Sequence, residues 1–224
     1  MGDWYMSRQL TSGVLGRKKA DVWLYKGEVW EYEEVTNPTT GRTWMDRNLG
    51  ASRVAQSTID ALAYGDLFQW GRLDDGHQDS DSLETSVLSN SDVPDNDGKF
   101  ITNTVSPFDW RDPSNDNLWQ PPDLINIPAP KGWRLPTLLE LQEEVATWDE
   151  TANATSDAFN SVLKIPRGGY RESDGVTQNQ GQRIYIWTST TDGTSSFCMR
   201  IISVVVYFSY KRASAMSVRL IKEI

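Results

Sequence analysis

The residues able to do acid–base, nucleophilic or metal chemistry are few in kind and unevenly placed. The 224-residue chain has one His and one Cys against 31 Asp and Glu. The His, His77, sits in Asp74-Asp75-Gly76-His77-Gln78. Any Ser-His-Asp or Cys-His site has to use this imidazole, but no Gly-x-Ser-x-Gly elbow accompanies it. A hydrogen-bonding role within a loop is the expectation. Cys198 lies between Phe197 and Met199 in strand-like sequence, far along the chain from His77, and reads as a buried structural thiol. One Cys excludes an intrachain disulfide framework, and one Cys with one His excludes multi-Cys and multi-His metal sites. Phosphate-cradling and dinucleotide motifs are absent. Carboxylate pairs for glycoside hydrolysis are numerous, and nothing singles out two of them.

Asp95-Asn96-Asp97-Gly98 has some of the spacing of a calcium loop. In EF-hand register, Val93 would hold the first ligand position and Thr104 the last, and both lack a carboxylate. The expectation is no cofactor, with a less regular calcium site in this Asp-rich stretch left open. Asn153-Ala154-Thr155 fits an N-glycosylation acceptor. The start of the chain has no secretory pattern, so that acceptor is expected to be idle and the chain cytoplasmic or virus-associated. A net charge of −9 argues against electrostatic binding of nucleic acid. No apolar run is long enough to insert into a bilayer.

The elements that must position these residues are legible in part. Residues 1–28 read as an N-terminal extension, with Arg17-Lys18-Lys19 as a solvated basic cluster. Val22–Tyr25 and Val29–Glu33 could pair as a hairpin. Ile59, Leu62, Ala63 and Leu67 would share one face of a helix over Gln56–Gln69. Asp74–Asp123 is rich in Asp, Asn, Ser, Pro and Gly and reads as a long irregular insertion pinned by isolated aromatics. Thr137 and Glu140 form a capping box ahead of an apolar stripe of Leu138, Leu141, Val145 and Trp148. A weaker helix follows over Ser156–Lys164. Strands are expected at Tyr185–Thr190, Phe197–Ser203, Val204–Tyr210 and Ser217–Ile221, with Asp192-Gly193 as the tight turn between the first two.

Several segments, in order, carry a family resemblance. They are Thr43–Ser52, Tyr64–Arg72 with Asp75–Gln78, Phe108–Arg111, Leu118–Gln120, Gly132–Thr137, Tyr185–Thr190, Cys198–Ile201 and Ser217–Lys222. Together they resemble the FISUMP-type "major paralogous" domain and the C-type-lectin-fold variable proteins of diversity-generating retroelements, in their archaeal, bacterial or viral forms. The resemblance covers residues 29–224. It implies an α+β domain of the C-type lectin fold: a small twisted antiparallel sheet joining the two chain ends, two helices and long loop insertions. It also implies a non-enzymatic ligand-binding protein whose variable region, near 191–215, is rewritten by adenine-directed mutagenesis.

Rewriting the first two bases of an Asn codon yields Ser, Thr, Ile, Val, Arg, Phe and others, but never Met or Lys. Most positions between Asp192 and Ala215 belong to that set. On this reading Thr194, Ser195, Ser196, Phe197, Arg200, Ile202, Val204, Val205, Phe208, Ser209 and Ser214 are the expected contacts with a macromolecular ligand, a protein by the flatness of a sheet surface. Strand alternation puts Arg200, Ile202 and Val204 on one face and Met199 and Ile201 on the other. Met199, Ile201, Val218 and Leu220 are expected in the core, and Trp44, Trp70, Trp133 and Trp187 as scaffold. Arg134 and Arg219 are expected to bind loop carbonyls or carboxylates.

The alternatives are a plain FISUMP-type surface or structural module and an oxidoreductase like the formylglycine-generating enzymes. The latter use paired Cys and copper, against which this chain offers Cys198 alone. Oligomeric state is not legible.

Overall fold

The structure, a computed structural model, describes residues 23–149 and 153–223. Arg17-Lys18-Lys19 lies outside the described residues. Strands β1 (Trp23–Tyr25) and β2 (Glu28–Trp30) pair antiparallel. The turn residues Lys26 and Gly27 both take positive φ, 53° and 77°, as a two-residue turn matched to strand twist requires. Trp23, Tyr25 and Trp30 pack on the main core. The described part of the expected extension is therefore continuous with the domain, and the boundary after residue 28 falls inside this hairpin.

A second hairpin pairs β3 (Glu34–Thr36) with β4 (Thr43–Met45). The long middle of the chain carries only two-residue strands: β5 (Phe68–Gln69), β6 (Glu84–Thr85), β7 (Phe100–Ile101) and β8 (Trp133–Arg134). Its irregular backbone is pinned by Phe100, Trp110 and Trp119, each 0% exposed. Helix α1 (Leu138–Val145) starts at Thr137, with both bonds of the expected capping box present. Helix α2 (Ala154–Asn160) starts at Asn153, whose side chain caps the Thr155 and Ser156 amides. This cap sets the helix two residues earlier than periodicity suggests. Then come β9 (Tyr170–Arg171), β10 (Thr177–Gln178), β11 (Ile184–Asp192), β12 (Ser195–Ile201), β13 (Val205–Lys211), β14 (Ala215–Met216) and β15 (Ile221–Lys222).

The larger sheets run β3-β4-β15-β8, β10-β9-β14-β5 and β11-β12-β13. With two α-helices among the described residues, the protein is sheet-rich and of the α+β class. Pairing of Trp44 with Ile221 joins an early strand to the C-terminal one.

The β11-β12-β13 sheet is a partition with a core on each side. Tyr185, Trp187 and Cys198 face one cluster, against which Phe208 and Tyr210 pack. Ile184, Ile186, Met199 and Ile201 face the other, against which Val205 and Tyr207 pack. Successive strand residues point to opposite faces, so both faces of this sheet have protein to pack on, with Asp192 exposed at the end of β11.

Two expected elements are absent. Within Gln56–Gln69 the helical structure is a single 3-10 turn at Ala61–Ala63, and the range ends in β5. Gly65 takes φ +73°, with a backbone carbonyl 2.4 Å from where a Cβ would sit, which stops any helix there. Ile59 and Leu62 are exposed rather than packed. Ser217–Ile221 is not one strand either. Its carbonyls are shared among three places: Ser217 accepts from the Trp187 amide, Val218 from Leu49 and Leu220 from Met45. The segment stitches sheets together instead of pairing with one neighbour.

Candidate functional site

The β11-β12-β13 sheet has a root and a tip, and its root is built from buried polar groups. The β11–β12 turn is the two-residue Gly193-Thr194, between the paired Asp192 and Ser195. Beneath it lies Arg212, 1% exposed. Its guanidinium donates to Ser196 Oγ at 3.0 Å, to the Gly193 carbonyl at 2.7 Å and to the Ser195 carbonyl at 3.0 Å. It also pairs with Asp116 at 2.7 Å and stands 3.7 Å from Asp109, over the Trp70 ring. Five N–H donors in a fixed fork suit such a hub.

Glu172 organises the neighbouring face. It accepts from the Tyr210 hydroxyl at 2.6 Å and the Ser214 hydroxyl at 2.7 Å. Burial alone would raise its pKa. The hydrogen bonds from Tyr210, the Ser173 amide and Ser214, with the Lys211 charge, outweigh that and hold it at about 2. Burial and the bond to Glu172 push the Tyr210 phenol well above its ordinary value.

The tip is different. β12 and β13 stay in register to the pair Ile201 and Val205. Beyond it Ile202 is 42% and Val204 61% exposed. Between these extremes, β13 is half-buried along its whole length. Arg200, across from Val206, lays its guanidinium 5.0 Å from the Phe208 ring. Its Nε is shielded from solvent without a hydrogen-bond partner among the described residues.

The expected contact residues therefore do not form one patch. Arg200 and Phe208 share a face. Phe197, Val205 and Ser209 point to the opposite one. Ile202 and Val204 crown the tip, while Thr194 and Ser195 lie at the root, roughly 20 Å away at about 3.3 Å per residue. Thr194 is exposed, and Ser195, Phe197, Val205 and Ser209 are half-buried. Ser196 and Ser214 are corrections. Both are 0% exposed, because their hydroxyls serve Arg212 and Glu172, so neither can touch a ligand. Val206, Tyr210 and the exposed Ser203 lie beside the expected contacts, Val206 and Tyr210 on the Arg200 face, with the Tyr210 hydroxyl already engaged by Glu172. Period-two counting from Phe208 finds the first two.

The remaining chemical candidates are structural. His77 is 0% exposed. Its Nε2 accepts the Gln69 amide at 2.9 Å, which leaves Nδ1 as the donor to Asp75 at 2.6 Å. Burial, then the Arg72 charge, lower its pKa to about 4, against the opposing pull of Asp75. The imidazole is thus neutral and already engaged at both nitrogens. Cys198 is buried, and burial pushes its thiol well above the ordinary value, the reverse of what a nucleophile needs. Met199, Ile201, Val218 and Leu220 are all in the core, and Trp44, Trp70, Trp133 and Trp187 are buried. Arg134 binds Glu140 and the Leu135 carbonyl. Arg219, 1% exposed, binds Asn48 and the carbonyls of Met45 and Leu163.

Among the described residues no three His, Cys, Asp or Glu converge so as to hold a metal ion, and no helix is long and apolar enough to cross a membrane. Asp95 and Asp97 line an open depression of about 460 Å³ with Val87, Asn96 and Lys99. No family model, curated protein or solved structure matches the chain.

Proposed function

We propose that the chain is a non-enzymatic binding protein of C-type-lectin fold, of the retroelement-diversified kind. Its recognition surface is the β12–β13 tip with the adjoining half-buried side chains Arg200 and Phe208, and its ligand is a macromolecule, by surface shape a protein. The observation that carries this reading is the contrast within one sheet. Large apolar side chains at Ile202 and Val204 are held in solvent on a hairpin whose root is buried and cross-linked by hydrogen bonds. Exposed apolar groups on a pre-organised scaffold are the economical way to make contacts without ordering loops on binding. The unpaired Arg200 Nε beside the Phe208 ring adds an aromatic–Arg anchor of the type that dominates interfaces.

The test is to sequence independent copies of the gene. Substitutions should fall at Ile202, Val204, Arg200 and their exposed neighbours within 191–215, at adenines of the template, and should spare Ser196, Arg212 and Ser214. Differences scattered evenly along the chain would favour a plain surface module and defeat the diversified reading.

A further inference from the structure

The exposure of β13 has an unusual form. A strand on a one-sided sheet alternates between buried and exposed residues. Its neighbour β12 is mostly buried, but all seven residues of β13 are half-exposed. Both of its faces are covered, Phe208 and Tyr210 by one core and Val205 and Tyr207 by the other. Among the described residues no strand covers β13 from the side. It pairs with β12 and with no other strand among the described residues. Among the described residues no backbone bond joins Val205–Tyr210 to any segment outside the sheet. Every second N–H and C=O along that edge is therefore without a backbone partner among the described residues.

Protein edges of this length are normally blunted by Pro, a bulge, or a charge placed mid-strand. β13 reads Val-Val-Tyr-Phe-Ser-Tyr-Lys in unbroken register. Its one charge, Lys211, is at the end and turned toward Glu172 and the Phe108 ring. Only another strand matches a row of backbone donors and acceptors, and one candidate is always present at equal concentration.

We propose that β13 pairs antiparallel with β13 of a second copy of this chain, about a two-fold axis at Phe208. That register sets Val206 opposite Tyr210 of the other copy, Tyr207 opposite Ser209, and Val205 opposite Lys211. The first is a β-branched–aromatic pair, a favoured cross-strand combination, and no like charges meet. The closed two-fold arrangement joins both sheets into one and leaves no further edge of this kind to propagate. It covers the side of β13 and leaves the loop residues Ile202 and Ser203 outside the paired strands.

Position 205 tests both the pairing and its register. Within one chain Val205 faces Ile201, so Lys or Glu there should affect folding alike. Across the axis, Val205→Lys brings two like-charge pairs with Lys211 and Val205→Glu two opposite ones. Sedimentation equilibrium of the wild-type chain from about 1 to about 100 µM should show a monomer–dimer equilibrium. Val205→Lys should weaken it and Val205→Glu strengthen it, each by about two- to thirty-fold for two cross-strand pairs. Hydrogen exchange of the wild-type chain gives a second readout that needs no variant, with protection of β13 amides rising with concentration. A monomer throughout that range overturns the proposal. So does a dimer that leaves β13 exchange unchanged, or two variants that shift association in the same direction.

Discussion

The two ends of the β12–β13 hairpin differ in residue type and in burial, and the two differences run against expectation. At the root, Ser195, Ser196, Arg212 and Ser214 are tied into buried networks with Asp109, Asp116 and Glu172. At the tip, Ile202, Ser203 and Val204 stand in solvent. The polar end is buried and the apolar end exposed. This inversion is stable because a buried polar group costs little once every donor has its acceptor, and a few exposed apolar side chains cost little anywhere. The root spends polar chemistry on fixing geometry, and the tip is left free of structural duty.

That contrast can be broken from either end. The largest effect is expected at Arg212→Met, which leaves Asp109 buried without its cation. About 3–5 kcal/mol should be lost, read as a drop in the urea midpoint at unchanged slope. Met199→Ala, in the core behind the sheet, should cost about 2–5 kcal/mol through the cavity it leaves, with the same readout. Tyr210→Phe removes the hydroxyl that serves Glu172 and should cost about 1.5–3 kcal/mol, the range for hydrogen bonds to a charged group.

Acid should act on the root as well. Glu172 is held at about 2 against an ordinary 4.5. Its contribution is therefore complete above pH 4.5 and disappears as pH falls toward 2. His77, held at about 4 against 6.5, is buried neutral, so its contribution is complete above pH 6.5 and declines as pH falls through 4. Thermal melts from pH 7 to pH 2 should show stability falling over that window, and Glu172→Gln should flatten the lower half. The smallest effect is expected at the tip: Val204→Ser should move stability by less than about 0.5 kcal/mol. A large loss there would mean the tip is part of the scaffold, and the contrast would collapse.

Legibility followed the range of the physics. The α1 start was readable because Thr137 and Glu140 satisfy each other's backbone three residues apart. The position of the β11–β12 turn was readable because a two-residue hairpin needs a residue tolerant of positive φ, and Gly193 takes φ +55°. The turn is Gly193-Thr194, however, one residue later than the expected Asp192-Gly193, because Asp192 pairs with Ser195. The Gln56–Gln69 helix misled because apolar spacing there competed with Gly65, whose left-handed backbone is held against Leu49 from a distant turn. Ser196 and Ser214 misled because a Ser looks alike whether it faces water, an arginine sixteen residues away or a glutamate forty-two residues away.

By itself the sequence determined local matters: one cap, the tight turns, the lack of any disulfide framework, and an aromatic set large enough to pin long loops. The tertiary structure decided what the run from Ile201 to Val206 does. Periodicity reports which face a side chain is on, and here both faces of the sheet are packed. Exposure instead depends on distance from the sheet's open side and end, which is fixed only when Arg212 and the two cores hold the hairpin in place.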